Sequence, residues 1–141
     1  MKSNIPAVKL SIALLTIGMF AGCSRGPMPP TEESALKLFG IMQEVQKNVT
    51  AREVEDGKAS DEGKKAMMKR LLVDPFAKAG YDLDATLKDF AVRLRDGNLT
   101  QDQGRVVMGL LGLYGGNISD LARWGFIKEE TKNLVTSALK R

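Results

Sequence analysis

The chain has 141 residues, the length of one domain, and carries 21 Lys and Arg against 17 Asp and Glu, with both signs scattered along it. A formal charge of +4 without a clustered basic run gives no footprint for nucleic acid. There is no histidine and only one cysteine, which removes the commonest general base, the commonest metal ligand, an internal disulfide and a thiolate zinc site. No cofactor and no metal is expected.

The N-terminus opens with Lys2 and Lys9 and continues as the uncharged run LSIALLTIGMFAG, Leu10 to Gly22. A membrane span needs about 20 apolar residues, so this run is too short to cross and fits the apolar region of a secretory signal peptide. Its end, Phe20-Ala21-Gly22-Cys23, resembles the lipobox of bacterial lipoproteins, in which small residues precede an obligatory cysteine. Phe20 stands where that family usually has Leu. The resemblance implies cleavage before Cys23, diacylglycerol on its sulfur, and acylation of the new amino terminus by a fatty acid such as palmitate. Ser24 is not the Asp that retains many such proteins in the inner membrane, so the resemblance implies an outer-membrane anchor facing the periplasm. The physical logic agrees. One acyl chain, at about 0.8 kcal/mol per buried CH₂, binds only marginally, whereas two or more anchor stably. Lipidation also removes a thiol that would be a liability in an exported protein.

The expected organisation is a signal peptide over 1–22, a lipidated tether over 23–31 and a helical domain over 32–141. In the tether, Gly26, Pro27, Pro29 and Pro30 oppose helix and favour extended backbone. Ser24 to Pro30 would reach roughly 20 Å at about 3.1 Å per residue.

The first helix opens at Thr31, with Glu32 and Glu33 in its first turn, where the helix dipole favours acids. Ala35, Leu38, Met42, Val45 and Val49 repeat at three and four, and Asp56-Gly57 is the last possible stop. Ser60 and Asp61 restart the chain, and Met67, Met68, Leu71 and Leu72 form its apolar face. Asp74-Pro75 reads as an interruption: Asp74 caps a short helix from Pro75 to Ala79 that Gly80 closes. The next helix is capped by Asp84, buries Leu87, Phe90, Ala91 and Leu94, and stops at Gly97. Thr100 opens a helix that becomes RVVMGLLGLYGG, apolar nearly all round and so expected to be central and buried. Gly104, Gly109 and Gly112 each cost about 1 kcal/mol against Ala there, a cost that close helix–helix approach would offset. A short helix from Ser119 to Trp124 and a last one from about Lys128 to Leu139 complete the chain. Nothing alternates with period two, and the fold class is all-α, a small bundle of five to seven helices.

No motif carries catalysis. DLDATLKD (82–89) and RDGNLTQDQ (95–103) are similar to calcium loops, but the first lacks the turn glycine and the second places Val92 and Leu94 at ligand positions. Of the acid pairs Glu32/Glu33, Glu129/Glu130 and Asp82/Asp84, two stand at helix starts, where capping explains them; a carboxylate-dependent cell-wall hydrolase is the rival from the enzyme class. Met42, Met67, Met68 and Met108 fall on apolar helical faces, where flexible thioethers fill a core or line a groove for a partner helix. Trp124, Phe126 and Tyr114 are read as one aromatic cluster. The expected function is a non-enzymatic, lipid-anchored envelope protein that binds another envelope protein, by analogy with small helical pilot lipoproteins. Its groove is assigned to Met67, Leu71, Leu110, Leu113, Tyr114 and Trp124. An immunity or exclusion lipoprotein is the alternative within binding proteins.

Overall fold

The structure is a computed structural model that describes residues 25–140. The signal-like run, the lipobox and Cys23 lie outside the described residues. All regular structure among the described residues is helical.

Eight α-helices follow one another: α1 (Glu32–Lys47), α2 (Ala51–Ala59), α3 (Asp61–Met68), α4 (Asp74–Ala79), α5 (Leu83–Asp96), α6 (Gln101–Gly115), α7 (Ile118–Arg123) and α8 (Glu129–Leu139). A π-helical segment, Lys69–Val73, joins α3 to α4 without a break, so these form one rod and the helical rods number seven.

The caps explain most boundaries. Thr31, Thr50, Ser60, Asp82 and Thr100 each accept a hydrogen bond from the backbone N–H three residues on, satisfying a donor the helix itself leaves unpaired. At Thr100 the bond is reciprocal, because the Gln103 side chain accepts from the Thr100 N–H at 3.0 Å. Gly80 and Gly97 close α4 and α5 in the left-handed region, with φ of 92° and 72°.

Three boundaries differ from expectation. The chain breaks at Asn48, after α1, and Asp56-Gly57 lies inside α2 rather than ending a helix. The stronger signal was Thr50, which caps α2. The cap of α5 is Asp82, whose carboxylate accepts from the Ala85 N–H at 2.7 Å. Asp84 instead accepts from the Lys128 N–H at 2.8 Å and ties the start of α8 to α5. Asp74 is no cap. It has helical φ and ψ, its N–H reaches back to the Lys69 carbonyl, and its carboxylate takes the Lys69 ammonium at 3.0 Å. The missing N–H and ring clash of Pro75 are absorbed by the wider π turn before it.

The core is built from one face of each main helix: Leu38 and Met42 of α1, Met68 and Phe76 of the rod, Leu87 and Phe90 of α5, Val107, Leu110, Leu111 and Tyr114 of α6, Leu121 of α7 and Val135 of α8. Helix α6 is not buried all round. Val107, Leu110, Leu111 and Tyr114 are fully covered, but Met108 and Leu113, one on each flank of that face, are 48% and 47% exposed. Three of its glycines admit no neighbouring helix: among the described residues a Cβ at Gly104, Gly109 or Gly112 would meet open space, whereas one at Gly115 would come within 2.7 Å of Leu139 Cδ1 of α8. The tight crossing is elsewhere, between α2 and α3, where a Cβ on Gly63 would run into the Asp56 carbonyl.

The tether is not free either. Met28 is a core residue, 1% exposed. Its N–H donates to Thr86 Oγ1 at 2.9 Å, and that hydroxyl donates to the Asp82 carbonyl at 2.6 Å. The Gly26 carbonyl accepts from the Asp82 N–H at 3.0 Å. Extended backbone imposed by three prolines thus lays Gly26 and Met28 against the start of α5.

Candidate partner groove

The groove begins with what α2 does not do. Its sequence, AREVEDGKA, has no apolar stripe, none of its residues is buried, and it packs chiefly against α3. Besides the unbroken rod that carries α3 and its core residue Met68, polar contacts attach the α2–α3 hairpin to the rest of the domain. The Arg70 guanidinium pairs with the Glu53 carboxylate and donates to the Asn48 carbonyl at 3.2 Å. Lys64 reaches Asp120 of α7 at 3.1 Å. Hydrogen bonding to Arg70 holds the Glu53 carboxyl below its usual range, so the pair is made at neutral pH.

Between this hairpin and the body lies an apolar groove of about 580 Å³. The C-terminal half of α1 contributes Met42 and Gln46, followed by Val49. The hairpin supplies Val54, Gly57, Lys58, Lys64, Met67 and Met68. The π turn supplies Leu71 and Leu72, while Leu113 and Asn117 close the far wall. The volume lies in the range of ligand-binding clefts. The π turn matters to its shape, since its wider turn leaves Leu71, Leu72 and Val73 only half-buried. From beneath, Tyr114 holds the turn in place: its hydroxyl donates to the Leu72 carbonyl at 2.6 Å, and its ring meets Phe76 edge-on at 5.6 Å.

The six residues assigned to the groove from sequence divide evenly. Met67, Leu71 and Leu113 line it. Leu110 and Tyr114 are fully buried core, because they lie on the inner face of α6, whereas Leu113 lies at the edge of that face. Trp124 is not in the lining; it is half-buried against the core, with the Arg123 guanidinium 4.6 Å from its ring centroid. The partner of the Tyr114 ring is Phe76 rather than Trp124 or Phe126. Of the four methionines on apolar faces, Met42, Met67 and Met68 converge here and Met108 does not. Val54 was missed, being the lone large apolar residue of a polar helix.

The chemistry of the lining is that of a receptor for apolar side chains. It offers thioethers, branched aliphatics, two amides and two lysines, with no carboxylate, thiol or hydroxyl. The acid pairs are elsewhere. Glu32 and Glu33 are exposed in the first turn of α1, and Asp82 and Asp84 are engaged by backbone N–H groups. Glu130 takes Lys88 at 2.7 Å, a hydrogen bond that holds the Glu130 carboxyl below and the Lys88 ammonium above their ordinary values. Among the described residues no group of three or more His, Cys, Asp or Glu could hold a metal ion, and no helix is long and apolar enough to cross a membrane.

No family model, curated protein or solved structure matches the chain.

Proposed function

We propose that the chain is a lipid-anchored protein of the bacterial envelope whose helical domain captures an amphipathic segment of another envelope protein, in the manner of a pilot or accessory factor. The observation that carries this reading is the apolar groove lined by three methionines, with Val54 and Leu113 exposed at its edge. Flexible, polarisable side chains adapt to an inserted helix, and the anchors of such a helix fit a cleft of this size. Of the four large hydrophobic residues exposed among the described residues, two lie in the groove. That clustering favours capture of a partner over the charged, patch-free surface expected of an immunity or exclusion protein. The lipobox-like end of the apolar N-terminal run, closing on Cys23, supports the anchor, with an outer membrane as its site.

The test is photocrosslinking in living cells from a reactive residue at Leu113, compared with one at Asn133 on the exposed face of α8. One defined envelope protein captured at Leu113 alone, and lost when Val54 is changed to Asp, is the expected result. Capture only of abundant membrane proteins, equally from both positions, would end the proposal. A Cys23→Ser chain tests the anchor separately, through detergent partitioning and the mass of the mature amino terminus.

A further inference from the structure

The described end of the tether is docked on the domain. Gly26 is held by the Asp82 N–H, and Met28 is sunk in the core on Thr86. Only Ser24 and Arg25 then separate Cys23 from the first anchored residue. Three residue steps span at most roughly 10 Å. Beside this exit, the Lys37 ammonium lies 5.7 Å from the centre of the Tyr81 ring, so the first turns of α1 and the turn between α4 and α5 share one end of the domain.

The groove is at the other end of the same two rods. It takes Met42 and Gln46 from the C-terminal half of α1. From the second rod it takes Met67 to Leu72, nine to fourteen residues before Tyr81. At 1.5 Å per residue that is about 14–21 Å of helix. Helix α6 gives the same direction: Arg105 and Val106 lie beside Pro30 and Glu32, whereas Leu113 lies in the groove.

We infer that the tether clamp holds the α4–α5 turn and the first turns of α1 against the lipid surface and stands the groove off from it, open to a partner in the aqueous phase. The inference rests on the lipidated Cys23 of the proposed function. It reverses the usual role of a proline-rich tether: the segment sets orientation rather than reach. Neither charge nor apolar area is needed to seat the domain, since the covalent anchor and the two hydrogen bonds at Asp82 and Thr86 leave it little room to turn.

The test uses the full lipidated chain in phosphatidylethanolamine/phosphatidylglycerol vesicles doped with a nickel-chelating headgroup lipid. With Cys23 acylated, a cysteine introduced at Lys37 or Lys58 is the sole free thiol and takes a nitroxide. Relaxation of the label by headgroup nickel should be several-fold stronger at Lys37→Cys than at Lys58→Cys. Ten Gly/Ser residues inserted between Arg25 and Gly26 should bring the two close to equality. Equal relaxation without the insertion, stronger relaxation at Lys58→Cys, or no response to the insertion would overturn the orientation. Protein that fails to float with the vesicles, with no mass added at Cys23, would instead overturn the anchoring reading itself.

Discussion

Two buried threonines show how much depends on where a hydroxyl finds its partner. Thr86 and Thr131 are both fully buried. Thr86 accepts from Met28 and donates to Asp82, so replacing it by the isosteric Val leaves a buried N–H unpaired, at a cost of about 1–3 kcal/mol. The Thr131 hydroxyl has no partner among the described residues. Thr131→Val keeps its shape and removes an unmet polar group, and should stabilise the fold by about 1 kcal/mol, read as a higher urea midpoint at unchanged slope. Tyr114 combines both cases. Burial pushes its hydroxyl above the ordinary tyrosine value of 10.0, because the phenolate would have to form away from water. The unfolded chain ionises near the ordinary value and the folded chain above it. Stability from this group is therefore complete below that value and falls as pH rises through the interval. Tyr114→Phe should cost about 1 kcal/mol at neutral pH through the lost bond to Leu72, and its unfolding free energy should fall less steeply with pH in the alkaline range than that of the parent.

The glycines separate helix from helix. Gly63 sits where α3 crosses α2 with no room for a Cβ, whereas Gly109 of α6 faces open space. Gly63→Ala should force the hairpin apart and speed amide exchange throughout α2. Gly109→Ala should stabilise by up to about 1 kcal/mol, the helix-propensity difference, in a urea titration. These outcomes also mark what the sequence could and could not disclose. Helix existence was legible wherever apolar residues repeat at three and four and a hydroxyl or Asp precedes them, as at Thr31 and Thr100. One boundary failed at Asp56-Gly57, read as the last possible stop of the first helix: the chain breaks earlier, at Asn48, and Thr50 has the cap geometry to begin a new helix that runs through Asp56-Gly57. Met67, Leu71 and Leu113 were legible as groove residues because they are apolar residues on helices. The rest was not, since periodicity gives a stripe without telling which side of it a neighbour covers. On α6, Leu110 and Leu113 are about one turn apart on neighbouring faces, yet Leu110 is fully covered and Leu113 is 47% exposed. The π turn had no signal beyond Pro75, whose expected effect was a break rather than a bulge.

At the scale of the whole molecule, two kinds of attachment coexist and should respond differently to salt. The body is held by a continuous apolar core drawn from nearly every helix, an interaction that added salt does not screen. The α2–α3 hairpin buries only Met68 and is fastened by the Arg70–Glu53 and Lys64–Asp120 pairs. The side chains of both pairs are 27–50% exposed, so both weaken as ionic strength rises. Raising salt from millimolar to molar should leave the global melting temperature nearly unchanged. The same change should selectively accelerate hydrogen exchange of the amides of α2, seen as a local opening rather than a global one. Because α2 and α3 form one wall of the groove, that opening is also the motion by which a bulky apolar segment would enter it. Exchange in α2 that follows global unfolding at every salt concentration would mean that the hairpin is fastened by more than these two pairs.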